Sequence, residues 1–498
     1  MTEHLELTPA TAPDWMDAHA ARQMPHIDFA LRRGTLTDNG ATPWYATLGL
    51  GTPPQPLRFM LDTGTLNTWI TASCCASDAC QAHRSFDPEH STSYRACAEP
   101  PASVPFGPWG SMGVVLGEDI CHLERTCSGE TRLCALDEAM RIYLSVSYDG
   151  AQFGGLACDG GLGIPAVPCD TPSALLEQLR KQGLIDHAIA AFRFDPERGE
   201  GRCLMGAVEP DRFDPDTLEL LPVIPISGEL HYLWTVRLDQ LQVGGETLGG
   251  ALPLALDTGS SCIKGGRAII ARMLSAITDR GRRPLRVSDP AALADYPELR
   301  LQLGDTNYRL APADYFMPLN GGWEVGVQYL EGLPDELLVA GSLFLDRLYS
   351  VFVFDPNPAG QRMVALAQPR RASLSASGIW RNEFGSTLEI GTIAADGTFR
   401  GQYRSDTGAS GVYPVVGVAD PEPTGDSISC AFSVSWRSLE GEPDPSWHWV
   451  SGFVGTVQLR DGVETLATSY LLQRDITPEM PEWMATAVYP STFKRVSD

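Results

Sequence analysis

The tripeptide Asp62-Thr63-Gly64 recurs as Asp257-Thr258-Gly259, each copy ending an apolar run, Leu57–Leu61 in the first and Leu252–Leu256 in the second. Each copy puts a carboxylate on a tight turn. Glycine lets the backbone double back, and small hydroxyl residues can donate to the carboxylate. One such tripeptide signals little more than an Asx-turn. Two copies in equivalent positions imply two similar lobes, and a pseudo-two-fold axis between them brings Asp62 and Asp257 together. Two carboxylates a few ångströms apart cannot both ionise cheaply, so they share a proton. The ionised member can take a proton from water while the protonated member donates to a carbonyl oxygen. That is general acid/base hydrolysis without a covalent intermediate.

Strands must carry these turns. Apolar stretches such as Trp44–Gly51 and Tyr349–Asp355 are short, β-rich and separated by Gly, Pro, Asn and Asp. An apolar-Gly element follows each carboxylate: Asp159-Gly160-Gly161-Leu162-Gly163-Ile164 and Leu338-Val339-Ala340-Gly341-Ser342-Leu343-Phe344. Helical spacing occurs in Pro172–Gly183 and Ala268–Ile277. The pattern predicts a mostly β chain with a few short helices. A small polar stretch, Ala372–Ser377, reads as a linker. Beyond it, short strands with turn signals at Ala395-Asp396-Gly397 and Arg460-Asp461-Gly462 predict an all-β barrel or sandwich. That region holds Trp380, Trp436, Trp447, Trp449 and Trp483.

The 498 residues suggest about three domains. The net charge of -25 argues against nucleic-acid and anionic-membrane partners, which need a basic face. An acidic surface suits an enzyme working at low pH, where protonation relieves self-repulsion. Lysine occurs only as Lys181, Lys264 and Lys494, which reads as composition bias. No apolar run approaches the roughly 18 residues of a membrane span. Ten of the 12 cysteines lie between Cys74 and Cys203, which reads as a disulfide framework and favours an oxidising compartment. No paired CxxC motifs or His-rich segment point to zinc. Residues Met1 to about Arg33 show no basic and apolar signal pattern. Export by a non-classical route is the expectation that joins these two observations, and the compartment stays open.

Over about residues 41–369 the chain resembles the pepsin-like aspartic proteases. The run from Trp44 to Gln55 is similar to the family's N-terminal strand and Gly-Thr-Pro-Pro-Gln turn, and Asp62–Trp69 to its first active-site loop. Cys75, Cys80, Phe86-Asp87-Pro88 and Ser91-Thr92-Ser93-Tyr94 resemble its small disulfide loop and the segment after it. The resemblance implies Asp62 and Asp257 as the catalytic dyad, support from the Thr65 and Ser260 hydroxyls, a Cys75–Cys80 disulfide and no cofactor. Val104–Met112 resembles the flap, with Phe106 where the family carries Tyr and one extra residue. Trp109 offers an indole N–H as a substitute. The family's basic propeptide is not recognisable before residue 41, and its usual C-lobe disulfides are absent, since only Cys262 falls there.

Residues about 377–497 resemble the avidin/streptavidin family, through Gly378–Thr387, Gly401–Ser405, Val434–Trp436, Trp449–Gly455, Tyr470–Leu472, Glu482-Trp483 and Ser491–Lys494. A bicyclic urea needs donors around its oxygen, which Asn382, Ser386 and Tyr403 can supply, and aromatic walls around its apolar body. The resemblance implies a biotin pocket of Asn382, Ser386, Tyr403, Ser405, Trp436, Trp449, Tyr470, Ser491 and, from a neighbouring subunit, Trp483. Ser491 stands where the family has an acidic or amide acceptor, and Tyr470 where it has a Trp. Pro445 and Trp447 fall at Ser and Thr contacts unless Ser446 shifts in. Trp380 reads as core.

The expected fold is mostly β: a bilobal pepsin-like double barrel followed by an eight-stranded avidin-like antiparallel β-barrel. The expected segments are an N-terminal extension (1–40), an N-lobe (41–225), a C-lobe (226–369), a linker (370–376) and the barrel (377–498). The expected function is an aspartic endopeptidase acting on polypeptides, joined to a barrel that binds biotin and self-associates. Two other readings are a silent peptide-binding protein with the barrel as oligomerisation module, and a protein whose main role is sequestering biotin. The retained Asp pair favours the enzyme, and Phe106 favours the silent protein.

Overall fold

The computed structural model describes residues 24–106, 109–127, 130–167, 175–357, 360–370, 374–405, 411–421, 427–440, 449–460, 463–474 and 485–496. The chain divides into two compact units, Met1–Arg371 and Ala372–Asp498.

The first unit is built on a 16-stranded sheet and a 7-stranded sheet, with a small 3-stranded sheet at the side. Period-2 burial sets the strands: in Trp44–Leu50 the residues Trp44, Ala46, Leu48 and Leu50 point inward. The strand Gln55–Asp62 carries the first Asp-Thr-Gly turn and lies between Trp44–Leu50 and Gly160–Gly163. The strand Glu246–Leu256 carries the second turn and lies between Thr235–Val243 and Leu338–Ala340. The two neighbourhoods repeat each other. Gly160–Gly163 runs parallel to the first carrier and antiparallel to Trp69–Thr71. Leu338–Ala340 runs parallel to the second carrier and antiparallel to Ile263–Gly265. The duplicated sequence elements therefore become duplicated strand frames.

The lobes do not follow chain order cleanly. Tyr349–Val353 and Met363–Ala367, expected in the C-lobe, join the large sheet through Ile189–Asp195. The strand His26–Arg33, inside the segment expected as an extension, pairs with Glu200–Met205 and buries Ile27, Phe29 and Leu31. Both belong to the 16-stranded sheet. Helices form at Leu175–Lys181, within the first patch of helical spacing, and at Arg267–Ile277, which starts one residue before the second.

Among the described residues the cysteine cluster is not the general framework expected. Cys75 and Cys80 form a disulfide across five positions. Cys121, Cys158 and Cys203 instead stay as buried thiols. Burial pushes Cys121 and Cys158 up to about 12, so they pack as small inert apolar groups.

Trp44 Nε1–H donates to both oxygens of Asp346 at 3.0 Å, and the Thr42 and Ser342 hydroxyls meet at 3.0 Å. These contacts tie the Trp44–Leu50 strand to the short helix Ser342–Leu345. Burial pushes the Asp346 carboxyl up to about 7 against the pull of Trp44, Arg33 and Arg347. The native state therefore holds a proton that the unfolded chain releases near the ordinary value of 3.8. Stability from this group is complete below that value and is lost as pH rises toward 7, by on the order of 2–4 kcal/mol. Asp346→Asn is expected to flatten the fall in urea midpoint between pH 4 and pH 7.5. An unchanged slope rejects the assignment.

The second unit is a closed antiparallel barrel of eight strands joined in sequence order. They are Gly378–Asn382, Thr387–Ile390, Thr398–Ser405, Gly411–Ala419, Ser427–Ser435, Val450–Arg460, Val463–Gln473 and Thr486–Arg495. The first pairs with the last, so no edge is left open. Alternation is plain in Ser427–Ser435, where Ile428, Cys430, Phe432 and Val434 point inward. Trp380 is fully buried in this core, with its indole N–H on the Ala376 carbonyl at 2.9 Å and the Arg495 guanidinium over its ring.

Candidate active site and barrel pocket

The two Asp-Thr-Gly turns cross back to back. Thr63 N–H donates to Thr258 Oγ1 at 3.1 Å, and Thr258 N–H donates to Thr63 Oγ1 at 3.0 Å. Each hydroxyl then donates across the junction, Thr63 to the Leu256 carbonyl at 2.9 Å and Thr258 to the Leu61 carbonyl at 2.6 Å. Both threonines are buried, so these reciprocal bonds fix the turns rigidly. Behind them, Ile164 N–H caps the Asp62 carbonyl at 2.8 Å, and Trp234 Nε1–H holds the Ile164 carbonyl at 2.7 Å. Asp257 N–H donates to the Ala340 carbonyl at 3.0 Å.

The carboxylates face each other across the glycines. Gly64 N–H donates to Asp62 Oδ1 at 2.8 Å, and Gly259 N–H donates to Asp257 Oδ1 at 2.8 Å. A Cβ on Gly64 would lie 2.5 Å from the Asp257 carboxylate carbon, and one on Gly259 2.3 Å from that of Asp62. Only glycine admits so close an approach. Burial and the facing Asp257 hold the Asp62 carboxyl well above the usual carboxylate range.

The hydroxyl support is one-sided. Ser260 Oγ–H donates to Asp257 Oδ2 at 2.6 Å. Thr65 Oγ1 instead accepts from the Asn67 N–H at 3.3 Å, a local turn contact. The physical difference is Lys264, whose ammonium donates to Ser260 Oγ at 3.0 Å and turns that hydroxyl toward Asp257. Lys264 is a site residue that the sequence reading passed over. The available signal was a lysine four positions after Ser260 in a chain with three lysines.

The flap base is aromatic. Phe106 packs edge-on to Trp69 at 5.5 Å and stacks on Trp109 at 5.5 Å. The Trp109 indole N–H donates to the Asn39 carbonyl at 2.6 Å, so it is committed and does not replace a tyrosine hydroxyl. Trp69 Nε1–H is buried and finds no partner among the described residues. An unsatisfied buried donor costs about 1–3 kcal/mol. Phe106→Tyr adds a hydroxyl to the ring that packs edge-on against Trp69. It is expected to raise kcat/KM on a peptide by about three- to tenfold. A variant no faster than wild type shows that the hydroxyl has no role here.

In the barrel, Asn382, Ser386, Tyr403, Ser405 and Ser491 are all buried. Asn382 Oδ1 accepts from the Phe384 and Ser386 N–H groups at 3.1 and 2.9 Å. That leaves Nδ2–H₂ to reach Tyr403 Oη at 3.3 Å and Ser491 Oγ at 3.5 Å. The aromatic side is Trp436, 5.6 Å from Tyr403, and Tyr470, stacked on Phe453 at 4.7 Å. The Trp436 indole N–H donates to Ser451 Oγ at 2.8 Å. Trp449 is half-buried under the Arg474 guanidinium at 5.0 Å. Ser451, Phe453 and Thr468 were not anticipated; Thr468 Oγ–H donates to the Ser491 carbonyl at 2.8 Å. Trp483, with Glu482, Pro445, Ser446 and Trp447, lies outside the described residues.

Two strand frames crossed at paired Asp-Thr-Gly turns define a pepsin-like bilobal unit, here followed by an avidin-like barrel. The chain belongs to the eukaryotic aspartyl protease family, whose model matches residues 43–367, and an avidin family domain matches residues 370–496. It is similar to cathepsin E of Mus musculus, 28% identical over 64% of this chain and 79% of that protein. It is also similar to pepsin A of Rhinolophus ferrumequinum, 25% identical over 65% and 81%, and to pepsin A of Sus scrofa, 25% identical over 65% and 82%.

Proposed function

We propose that the chain hydrolyses peptide bonds in acid at the Asp62/Asp257 dyad. The observation that carries this is the crossed pair of turns, which presses two carboxyls together with one of them held protonated well above the usual range. The ionised carboxylate takes a proton from water, and the resulting hydroxide adds to the scissile carbonyl carbon. The protonated carboxyl gives its proton to the carbonyl oxygen. The tetrahedral adduct collapses as the amine leaves with a proton returned through the dyad. No cofactor enters this cycle. A casein digest at pH 4 with and without pepstatin tests it: cleavage that pepstatin blocks is expected. Binding of pepstatin without cleavage favours the second reading, a silent peptide-binding lobe pair, which the unsatisfied Trp69 donor beside Phe106 supports.

The barrel is assigned to biotin or a similar bicyclic urea, on the convergence of Asn382, Ser386 and Tyr403 beside Trp436. A homo-oligomer through this unit is also part of the reading. Val450 and Val454 flank Gly452, which pairs with Leu471, which pairs with Val488. All four side chains stand on the outer face, Val454 and Val488 each 67% exposed. Such a contiguous apolar patch suits a second copy. Light scattering of the full chain at micromolar concentration is expected to give at least twice the 53.9 kDa chain mass. The pair Val454→Glu and Leu471→Glu is expected to reduce it to one. A monomeric wild type removes the oligomer from the reading.

A further inference from the structure

Lys264 lies in the strand Ile263–Gly265 and is only 5% exposed. A buried ammonium is costly unless charge or hydrogen bonds compensate it. Its described hydrogen bond goes to a neutral hydroxyl, Ser260 Oγ at 3.0 Å. Its register partners on both flanking strands, Gln328 and Val339, are neutral. The compensating negative charge lies one hydrogen bond further on, since Ser260 Oγ–H donates to Asp257 Oδ2 at 2.6 Å. The approach of the main chain confirms how tightly the amine is held. Gly40 has φ +77°, and a Cβ there would sit 3.1 Å from Lys264 Cε and 3.2 Å from Nζ.

We infer that Lys264 is a positioning residue that draws the negative charge of the dyad onto Asp257 through Ser260 and sets the acid range in which the site works. This rests on the hydrolytic reading of the dyad and adds to it the route by which the cation reaches the carboxyls, through the Ser260 hydroxyl. The titratable groups facing this arrangement are Asp62 and Asp257 on the two turns, Cys262 beside Lys264, and Tyr232, whose hydroxyl is held protonated by burial and by both acids. Lys264 is the cation among them, and its field lowers the proton affinity of Asp62 as well. A cation about 5–6 Å from a carboxylate in a partly buried site displaces its titration by about one pH unit or more.

The sign follows. A cation favours every ionised form of the dyad. Its removal therefore raises both the acid and the alkaline limb of the kcat/KM profile. In the full chain, Lys264→Met is expected to move both limbs up by about one pH unit. Lys264→Gln keeps a donor for Ser260 without the charge and is expected to move them equally. Lys264→Arg keeps the charge and is expected to hold the wild-type profile even if kcat falls. A profile that stays in place in both Met and Gln variants overturns the inference, as does a displaced profile in Arg alone. Infrared titration of the protonated-carboxyl band, read by difference against Asp257→Asn, reports the same displacement without turnover. An upward shift in Lys264→Met supports the inference even if wild type proves inactive, and no shift overturns it.

Discussion

Asp62→Asn is expected to lower kcat on an acid-range peptide substrate by about 10³–10⁴-fold while KM stays within a few-fold of wild type. The side chain is nearly isosteric, and its amide oxygen can still accept the Gly64 N–H that now meets Asp62 Oδ1 at 2.8 Å. What it cannot do is exchange a proton at the pH of the reaction. The same substitution carries a second, opposite effect. Burial and Asp257 hold the Asp62 carboxyl above its ordinary range, so ionising it in the folded protein is unfavourable. Its contribution to stability is full at acid pH and is lost as pH rises. Asn has no such dependence. The variant is therefore expected to be inactive, to match wild type in thermal midpoint near pH 3, and to exceed it near pH 7. Thermal melts at both pH values beside a peptide assay read all three. Retained turnover removes the catalytic assignment. A lower midpoint at pH 7 removes the account of the carboxyl's environment.

The parts of this site legible in sequence are those in which chemistry is contiguous. Asp62, Thr63 and Gly64 announce a turn by themselves, and their repetition at Asp257 announces a partner. The strand frames were legible because each carrier ends in a short, mostly apolar run and is followed by an apolar-Gly element. The alternation of Ile27, Phe29 and Leu31 was equally present in the sequence, but the partner strand Glu200–Met205 lies far along the chain and no local pattern specifies it. Other features depend on residues remote in the chain. Thr65 and Ser260 occupy equivalent positions and diverge only because Lys264 reaches one of them. The Trp109 indole is taken by the Asn39 carbonyl, a partner that no local pattern specifies. The cysteine count suggested a framework, but disulfides need paired geometry, and Cys121, Cys158 and Cys203 are placed as core side chains. In the barrel, the donors were legible from type and order, whereas Ser451 as the partner of Trp436 was not.

Ser491→Asp is expected to tighten biotin binding by about one to two decades. The polar end of the pocket is preorganised. Asn382 Oδ1 is already satisfied by the Phe384 and Ser386 N–H groups, so its amide N–H₂ is aimed inward before any ligand arrives. Tyr403 is held in place against Trp436 and Phe493. Together these supply donors for a ureido oxygen. The ureido N–H groups need acceptors, and Ser491 is a weak one: its hydroxyl lies 3.5 Å from Asn382 Nδ2, at the limit of a hydrogen bond, and it carries no charge. A carboxylate there accepts a charge-assisted bond worth roughly 1–3 kcal/mol more, which is the decade or two named above. It also faces the Asn382 amide, which partly offsets the cost of burying it. Wild type is accordingly expected to bind measurably but below the tightest non-covalent complexes. Calorimetry on wild type, Ser491→Asp and Asn382→Ala orders the three: Asp tightest, Ala weakest. The Asn382→Ala loss separates pocket binding from adsorption on the exposed valines, because Asn382 is buried inside the barrel. No heat with millimolar biotin in wild type and in Ser491→Asp alike means that the polar end of this barrel receives some other ligand, and the biotin assignment falls.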